Sequence, residues 1–214
     1  MSPGPKPPLE PTHPDPRPYV SPKRAAAAAE TRAQIIQAAV GLLEDGPTQM
    51  SLEAVAKAAG VTRLTVYKQF GSRRGLLEAV FDENARRFGI VRMAQAITHE
   101  DPRQGLRLAV EILCDFWGSH PSFARLHDAA AADAEFAEAL ATRNERRPWV
   151  FDQLLARLPG PEGAKRDCSD LIFGMTAMPM FRLLIAGRTP AEVAALLNAA
   201  IAVILDTRGI GQSA

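Results

Sequence analysis

Five side chains able to make directed polar contacts fall in one short run: Thr62, Arg63, Thr65, Tyr67 and Lys68. Hydroxyl, guanidinium, phenol and ammonium groups are donors for phosphate oxygens and base edges. Arg73 follows at the expected start of another helix, where unpaired backbone N–H groups also attract anions. A merely solvated polar face is the alternative for the same residues. No catalytic signature accompanies them: the chain has no G-x-S-x-G, no H-E-x-x-H, no Walker loop and no dinucleotide-binding glycine pattern.

His120 and His127 lie seven apart, with Asp128 adjacent and Cys114 upstream. They read either as a metal or sensor site or as ordinary polar residues at helix ends. Cys114, between Leu113 and Phe116, reads either as a redox sensor or as core filling. No metal and no cofactor is expected. Cys114 and Cys168 are too few for a disulfide framework, which fits a reducing cytoplasm.

The polar run must be held by its neighbours. Ser51 caps a helix from about 52 to 59, in which Leu52, Val55, Ala56 and Ala59 recur at helical spacing. Gly60 can take positive φ and end it. Thr62 caps a second helix that turns Val66 and Phe70 inward, while Ala56 permits a close crossing and Val61 fills the corner. Two short helices joined by such a turn form a helix-turn-helix, whose second helix enters the DNA major groove. An αα-hairpin that binds nothing has the same pattern. A preceding helix, about 25–45, offers Ile35, Ile36, Ala39, Leu42 and Leu43 and stops at Asp45-Gly46-Pro47. A following helix, capped by Ser72, carries Leu76, Leu77, Val80, Phe81 and Phe88.

The run TRAQIIQAAVGLLEDGPTQMSLEAVAKAAGVTRLTVYKQFGSRRGLLEAV, Thr31 to Val80, resembles the DNA-binding domain of the TetR family of transcriptional regulators. The resemblance implies DNA contacts by Thr62, Arg63, Thr65 and Lys68, with Tyr67 and Arg73 on the phosphate backbone. It also implies a repressor released from its operator by a small-molecule effector, and a homodimer formed by the last two helices. Leu64, Gln69 and Arg74 depart from the family's usual residues, so the operator sequence does not follow. A ligand-independent DNA binder or activator, and a helical enzyme with a vestigial head, remain open.

Charge agrees with a DNA-facing head. The net charge is +1, but residues 23–75 carry eight basic and four acidic side chains and residues 76–214 a net −3. Abundant Ala and few aromatics favour helix. The expected fold is all-α, of about nine helices. It comprises a disordered Pro-rich tail (1–22), a helix-turn-helix domain (23–75) and a larger helical effector-binding and dimerisation domain (76–210).

In that body Asp101-Pro102 opens a helix ending near Gly118, and Pro148 should kink or break a longer one. Phe116, Trp117, Phe123, Trp149, Phe173, Met175 and Met178 suit either an effector pocket or plain core. Residues 164–186 and 190–205 are apolar nearly all round, so a second copy is their natural cover, with Leu184 and Leu197 as interface positions. No apolar run of about 18 residues and no signal-peptide core is evident, so neither a membrane span nor export is expected.

Overall fold

The computed structural model describes residues 22–45, 51–87, 89–119, 124–125, 127–128, 134–144 and 147–211. The expectations for residues 1–21, Gly46-Pro47, Phe88, His120 and Phe123 lie outside them. The described residues form helices and connections without a strand. In chain order these are α1 (Pro22–Asp45), α2 (Leu52–Ala58), α3 (Arg63–Phe70), α4 (Arg73–Arg87), a 3-10 turn (Ile90–Arg92) and α5 (Met93–Ile97). Then come α6 (Pro102–Gly118), α7 (Ala134–Asn144), α8 (Arg147–Ala156), α9 (Glu162–Met175), α10 (Met178–Leu184) and α11 (Pro190–Thr207).

Two apolar clusters organise the chain. The first joins Ile35, Ile36, Ala39 and Leu43 of α1 to Val55, Ala56 and Ala59 around α2 and Val66 of α3. It is closed by Leu76, Leu77, Ala79 and Val80 of α4. The head's core therefore runs to Val80, beyond the seam at residue 75 that the sequence suggests, and α4 belongs to head and body at once. The second cluster lies among α6, α8, α9, α10 and α11, with Phe116, Phe151, Leu154, Ile172, Phe181 and Ile201 buried in it. Phe81 packs against both clusters.

Local chemistry sets most helix ends. Asp101 accepts from the Arg103 N–H at 2.8 Å, and Pro102 takes the first position of α6, where its missing N–H removes no helical bond. α8 begins at Arg147, so Pro148 lies in its first turn rather than in a helix interior, and residues 145–146 before it lie outside the described residues. The apolar stretch 164–186 is two helices rather than one. It divides at Thr176-Ala177, with Pro179 in the first turn of α10. Thr189 and Glu192 form a reciprocal capping box at the start of α11.

α11 corrects one expectation. Its 18 residues have a mean hydropathy of 1.5 and reach the length and composition of a membrane span. Val193, Ala194, Leu197, Ile201 and Leu205 form an inward stripe in the body's core, and α11 lies along α6. Only 28% of the helix is buried within the chain. Leu196 and Val203 face outward at 45% and 65% exposure. Leu197, by contrast, is buried and Leu184 partly so, and both pack in or against the chain's own core. The outward apolar positions are thus Leu171, Leu183, Leu196 and Val203.

The junction of α3 with α4 is tight. A methyl group on Gly75 would stand 2.2 Å from the Phe70 carbonyl oxygen. Gly75→Ala should therefore cost about 1–3 kcal/mol, as overpacking does, and lower the melting temperature. Gly41→Ala, where a Cβ meets nothing within 4 Å, should leave it unchanged or raise it. Equal melting temperatures for the two variants would refute the close approach.

Candidate DNA interface and the body behind it

The interface is built from the turn outward. The Ser51 hydroxyl accepts from the Ala54 N–H at 3.1 Å and the Thr62 hydroxyl from the Thr65 N–H at 3.1 Å, each cap contributing about 1 kcal/mol. Between the helices, Gly60 (φ 66°) donates to the Lys57 carbonyl and Val61 to the Ala56 carbonyl. That paired pattern is a Schellman turn, and it needs the left-handed residue that only glycine adopts without strain. Val61 packs against the head core beside it.

Further polar contacts fix the two short helices to α1. Gln34 donates to the Ala59 carbonyl at 2.9 Å, satisfying the end of α2. Arg32 donates to the Gln69 carbonyl at 2.9 Å and stacks 4.4 Å over the Phe70 ring, satisfying the end of α3. Gln69 returns a bond to the Ala28 carbonyl at 3.3 Å. Cationic Arg32 is therefore a clamp on the end of α3. Sequence reading counted its charge and missed this role, because its partner lies 37 residues away.

α3 turns Val66 inward and presents its other faces to solvent. Thr62, Arg63 and Lys68 are exposed, Tyr67 is 57% exposed and Thr65 is half-buried. The Thr62 and Thr65 hydroxyls are also hydrogen-bonded to each other at 2.8 Å, so Thr62 is first of all a cap. Leu64 stands out at 60% exposure, an apolar group on an otherwise polar face.

Arg73 differs from the rest. It is half-buried, and its guanidinium lies 3.6 Å from the Glu135 carboxylate of α7. The same carboxylate accepts the Arg74 backbone N–H at 3.0 Å. Arg74 pairs with Glu138 at 2.7 Å and with Glu78 at 3.1 Å, and these hydrogen bonds, Glu78's foremost, raise its pKa. The first turn of α4 is thus occupied by two acidic side chains of the body. A second tie crosses nearby, where Arg125 donates to the Leu43 carbonyl at 3.4 Å.

The aromatics of the body separate into groups. Phe116, Trp117 and Met178 are buried in its core, while Phe173 and Met175 are half-buried at its edge. Phe116 meets Trp117 at 5.0 Å between ring centroids and Phe81 of α4 at 6.2 Å, edge to face. Trp149 does not join them, being 55% exposed. The break between α9 and α10 leaves the Thr176 carbonyl outside a continuous helical ladder. It accepts from Trp117 Nε1 and from Arg147 Nη1, both at 3.0 Å. Arg147, which sequence reading did not single out, lies 4.7 Å above the Phe173 ring and 5.6 Å from that of Trp117.

A groove of about 560 Å³ runs elsewhere, between α6 and α11, lined by Arg107, Glu111, Asp115, Ala195, Asn198 and Ala202 among others. None of the aromatic or methionine candidates lines it.

Cys114 and Cys168 are both buried and free. Burial, reinforced by Asp115 and Glu111, pushes the Cys114 thiol up to about 12, so it carries no thiolate at neutral pH. Core filling, not redox sensing, is the role this environment permits. Asp128 is ion-paired with Arg182. Among the described residues no cluster of His, Cys, Asp and Glu could hold a metal ion.

Comparison with known proteins places the head. Residues 35–80 match the family described as bacterial regulatory proteins, tetR family. The HTH-type transcriptional regulator EthR of Mycolicibacterium smegmatis is 31% identical over 113 residues, which are 51% of this chain and 52% of that protein. The chain thus spans about half the length of the curated relatives it matches. Two solved structures share its fold. One is NalD, the secondary repressor of the MexAB-OprM multidrug efflux pump in Pseudomonas aeruginosa. It has a TM-score of 0.62 at 24% identity, over 88% of this chain and all of that one. The other is FadR of Bacillus subtilis in complex with stearoyl-CoA, with a TM-score of 0.62 at 21% identity, over 80% and 96% of the two chains.

Proposed function

We propose that this chain, whose residues 35–80 match the tetR family, is a homodimeric, sequence-specific DNA-binding regulator of transcription, a repressor that a small molecule releases from its operator. The observation that carries this reading is the outward polar face of α3, fixed from behind by the Schellman turn and by the α1 clamps. Lys68 and Arg63 are long enough to reach base edges, and Tyr67 suits a backbone phosphate. Such a regulator works where bacterial DNA is, in the cytoplasm.

Release needs a route from body to head. Phe81 supplies it, since α4 carries this ring between both cores and sets it against Phe116. An effector that favours one arrangement of the body's aromatics would tilt α4 and change the spacing of the two heads. Those heads must enter successive major grooves about 34–36 Å apart. The effector must bind one spacing better than the other, and operator DNA then weakens effector binding by the same factor.

Selection from a pool of random duplexes tests the reading. Enrichment of a two-fold-related site with half-sites one helical turn apart is the expected result. A pool that yields no preferred sequence would refute sequence-specific regulation.

A further inference from the structure

A half-buried cation with no counter-ion among the described residues stands at the edge of the body's aromatic cluster. Among the described residues no carboxylate lies within ion-pairing distance of Arg147. One guanidinium nitrogen, Nη1, donates to the Thr176 carbonyl, and the rings of Phe173 and Trp117 flank the group. The Nε atom is fully buried with no hydrogen-bond partner. Nη2 donates to no described acceptor either, so the edge formed by Nε and Nη2 is unused. That edge is the one a carboxylate meets with two parallel hydrogen bonds. The aromatic faces and the negative end of α9, where Thr176 sits, stabilise the cation in part. They do not supply an acceptor for Nε. A buried donor left unsatisfied is destabilising, and more so when it carries a charge.

We propose that the Nε–Nη2 edge of Arg147 is an anion site, and that it takes the carboxylate of an apolar acid. This rests on the reading that the body binds an effector, and it names that effector's chemical class. The stack on Phe173 and the bond to Thr176 fix the guanidinium plane, so the site is preorganised. Phe173 is only half-buried beneath it and offers apolar surface to the acid's hydrocarbon part. Burial lowers the guanidinium pKa to about 10, which leaves the charge in place at neutral pH. Trp117 connects the site to α4, since its ring meets Phe116 and Phe116 meets Phe81. An acid drawn to Arg147 would thus act on the same aromatic route that reaches the head.

The test compares decanoate with decanamide, which share a chain and differ in head charge. The full chain with Trp149→Phe keeps Trp117 as its one tryptophan, beside the site. Its fluorescence should report decanoate binding at least ten-fold tighter than decanamide. Arg147→Gln in that background should bring the two within two-fold. Equal binding of the two probes, no binding of either, or a ten-fold preference that survives Arg147→Gln would each overturn the site. Should Arg147→Gln fail to fold, the two-probe comparison in the parent chain still decides. Operator binding is measured alongside. If decanoate binds with the expected preference yet leaves the operator complex intact, the anion site stands and the effector reading fails. If the operator is bound and no probe preference is seen, only the anion site fails.

Discussion

Leu196→Glu together with Val203→Glu should turn a dimer into a monomer and weaken operator binding by two orders of magnitude or more. Leu196, Ala199, Ala200 and Val203 recur at i, i+3, i+4 and i+7, so they form one stripe along α11 facing away from the chain's own core. Leu171 and Gly174 extend an exposed face on α9, where Gly174 leaves open space for close approach. Such a stripe on a helix only 28% buried is the surface a second copy would cover. Two carboxylates at its centre would have to be desolvated without partners. The effect on DNA follows from tethering, because joining two reading heads raises avidity by about 10²–10⁴ over one head. Sedimentation at micromolar concentration should give twice the chain mass for the parent and a single mass for the variant. Circular dichroism should show the variant folded. Leu197→Glu is the contrasting case: it faces inward and should unfold the body instead. A double variant that still sediments as a dimer would exclude this face.

The contrast between Leu196 and Leu197 shows where sequence reading stops. An almost uniformly apolar helix announces that several faces are covered, but one residue's step of helix separates a core position from an interface position. Periodicity cannot assign the faces when nearly every position is apolar. Signals carried within one turn were legible. Ser51, Thr62, Asp101 and Gly60 act through backbone groups two to five residues away, so residue type and spacing nearly determine their contacts. The Thr176 break was half-visible in Pro179, whose ring cannot continue a helix. What was hidden is long-range and polar. Arg32 on the end of α3, Arg147 over Phe173 and Glu135 at the start of α4 each join elements far apart in sequence. Charge counting placed Arg32 among the basic residues of the DNA-facing head, although it serves as an internal clamp. Trp149 was grouped with the pocket aromatics by composition alone, and its exposure separates it from them.

Replacing Glu135 and Glu138 by Gln should tighten DNA binding about three- to ten-fold, on operator and scrambled duplex alike. The start of α4 carries the Arg74 N–H and the Arg73 guanidinium, the set expected to meet a backbone phosphate, yet Glu135 contacts both. Carboxylate and phosphate oxygens therefore compete for the same donors. Each tie is partly exposed and screened by solvent, so Glu135–Arg73 and Glu138–Arg74 hold the head only weakly. Together they bias the head without locking it, which is why the expected gain is modest. Phosphate carries no sequence information, which is why both duplexes should gain equally. The partner residue sharpens the test. Arg73→Ala should weaken both duplexes and lower the salt slope by about one counterion, and its cost should be larger in the Gln background than in the parent. That non-additivity is what competition for one guanidinium requires, and a double-mutant cycle measures it. Lys68→Ala serves as the control, since Lys68 is exposed on α3 and no ion pair joins it to these carboxylates. It should cost about 1–3 kcal/mol on the operator alone and the same in either background. Strict additivity between Arg73 and the two glutamates, with no gain in DNA affinity for the Gln variant, would leave the acidic pair a packing contact between head and body.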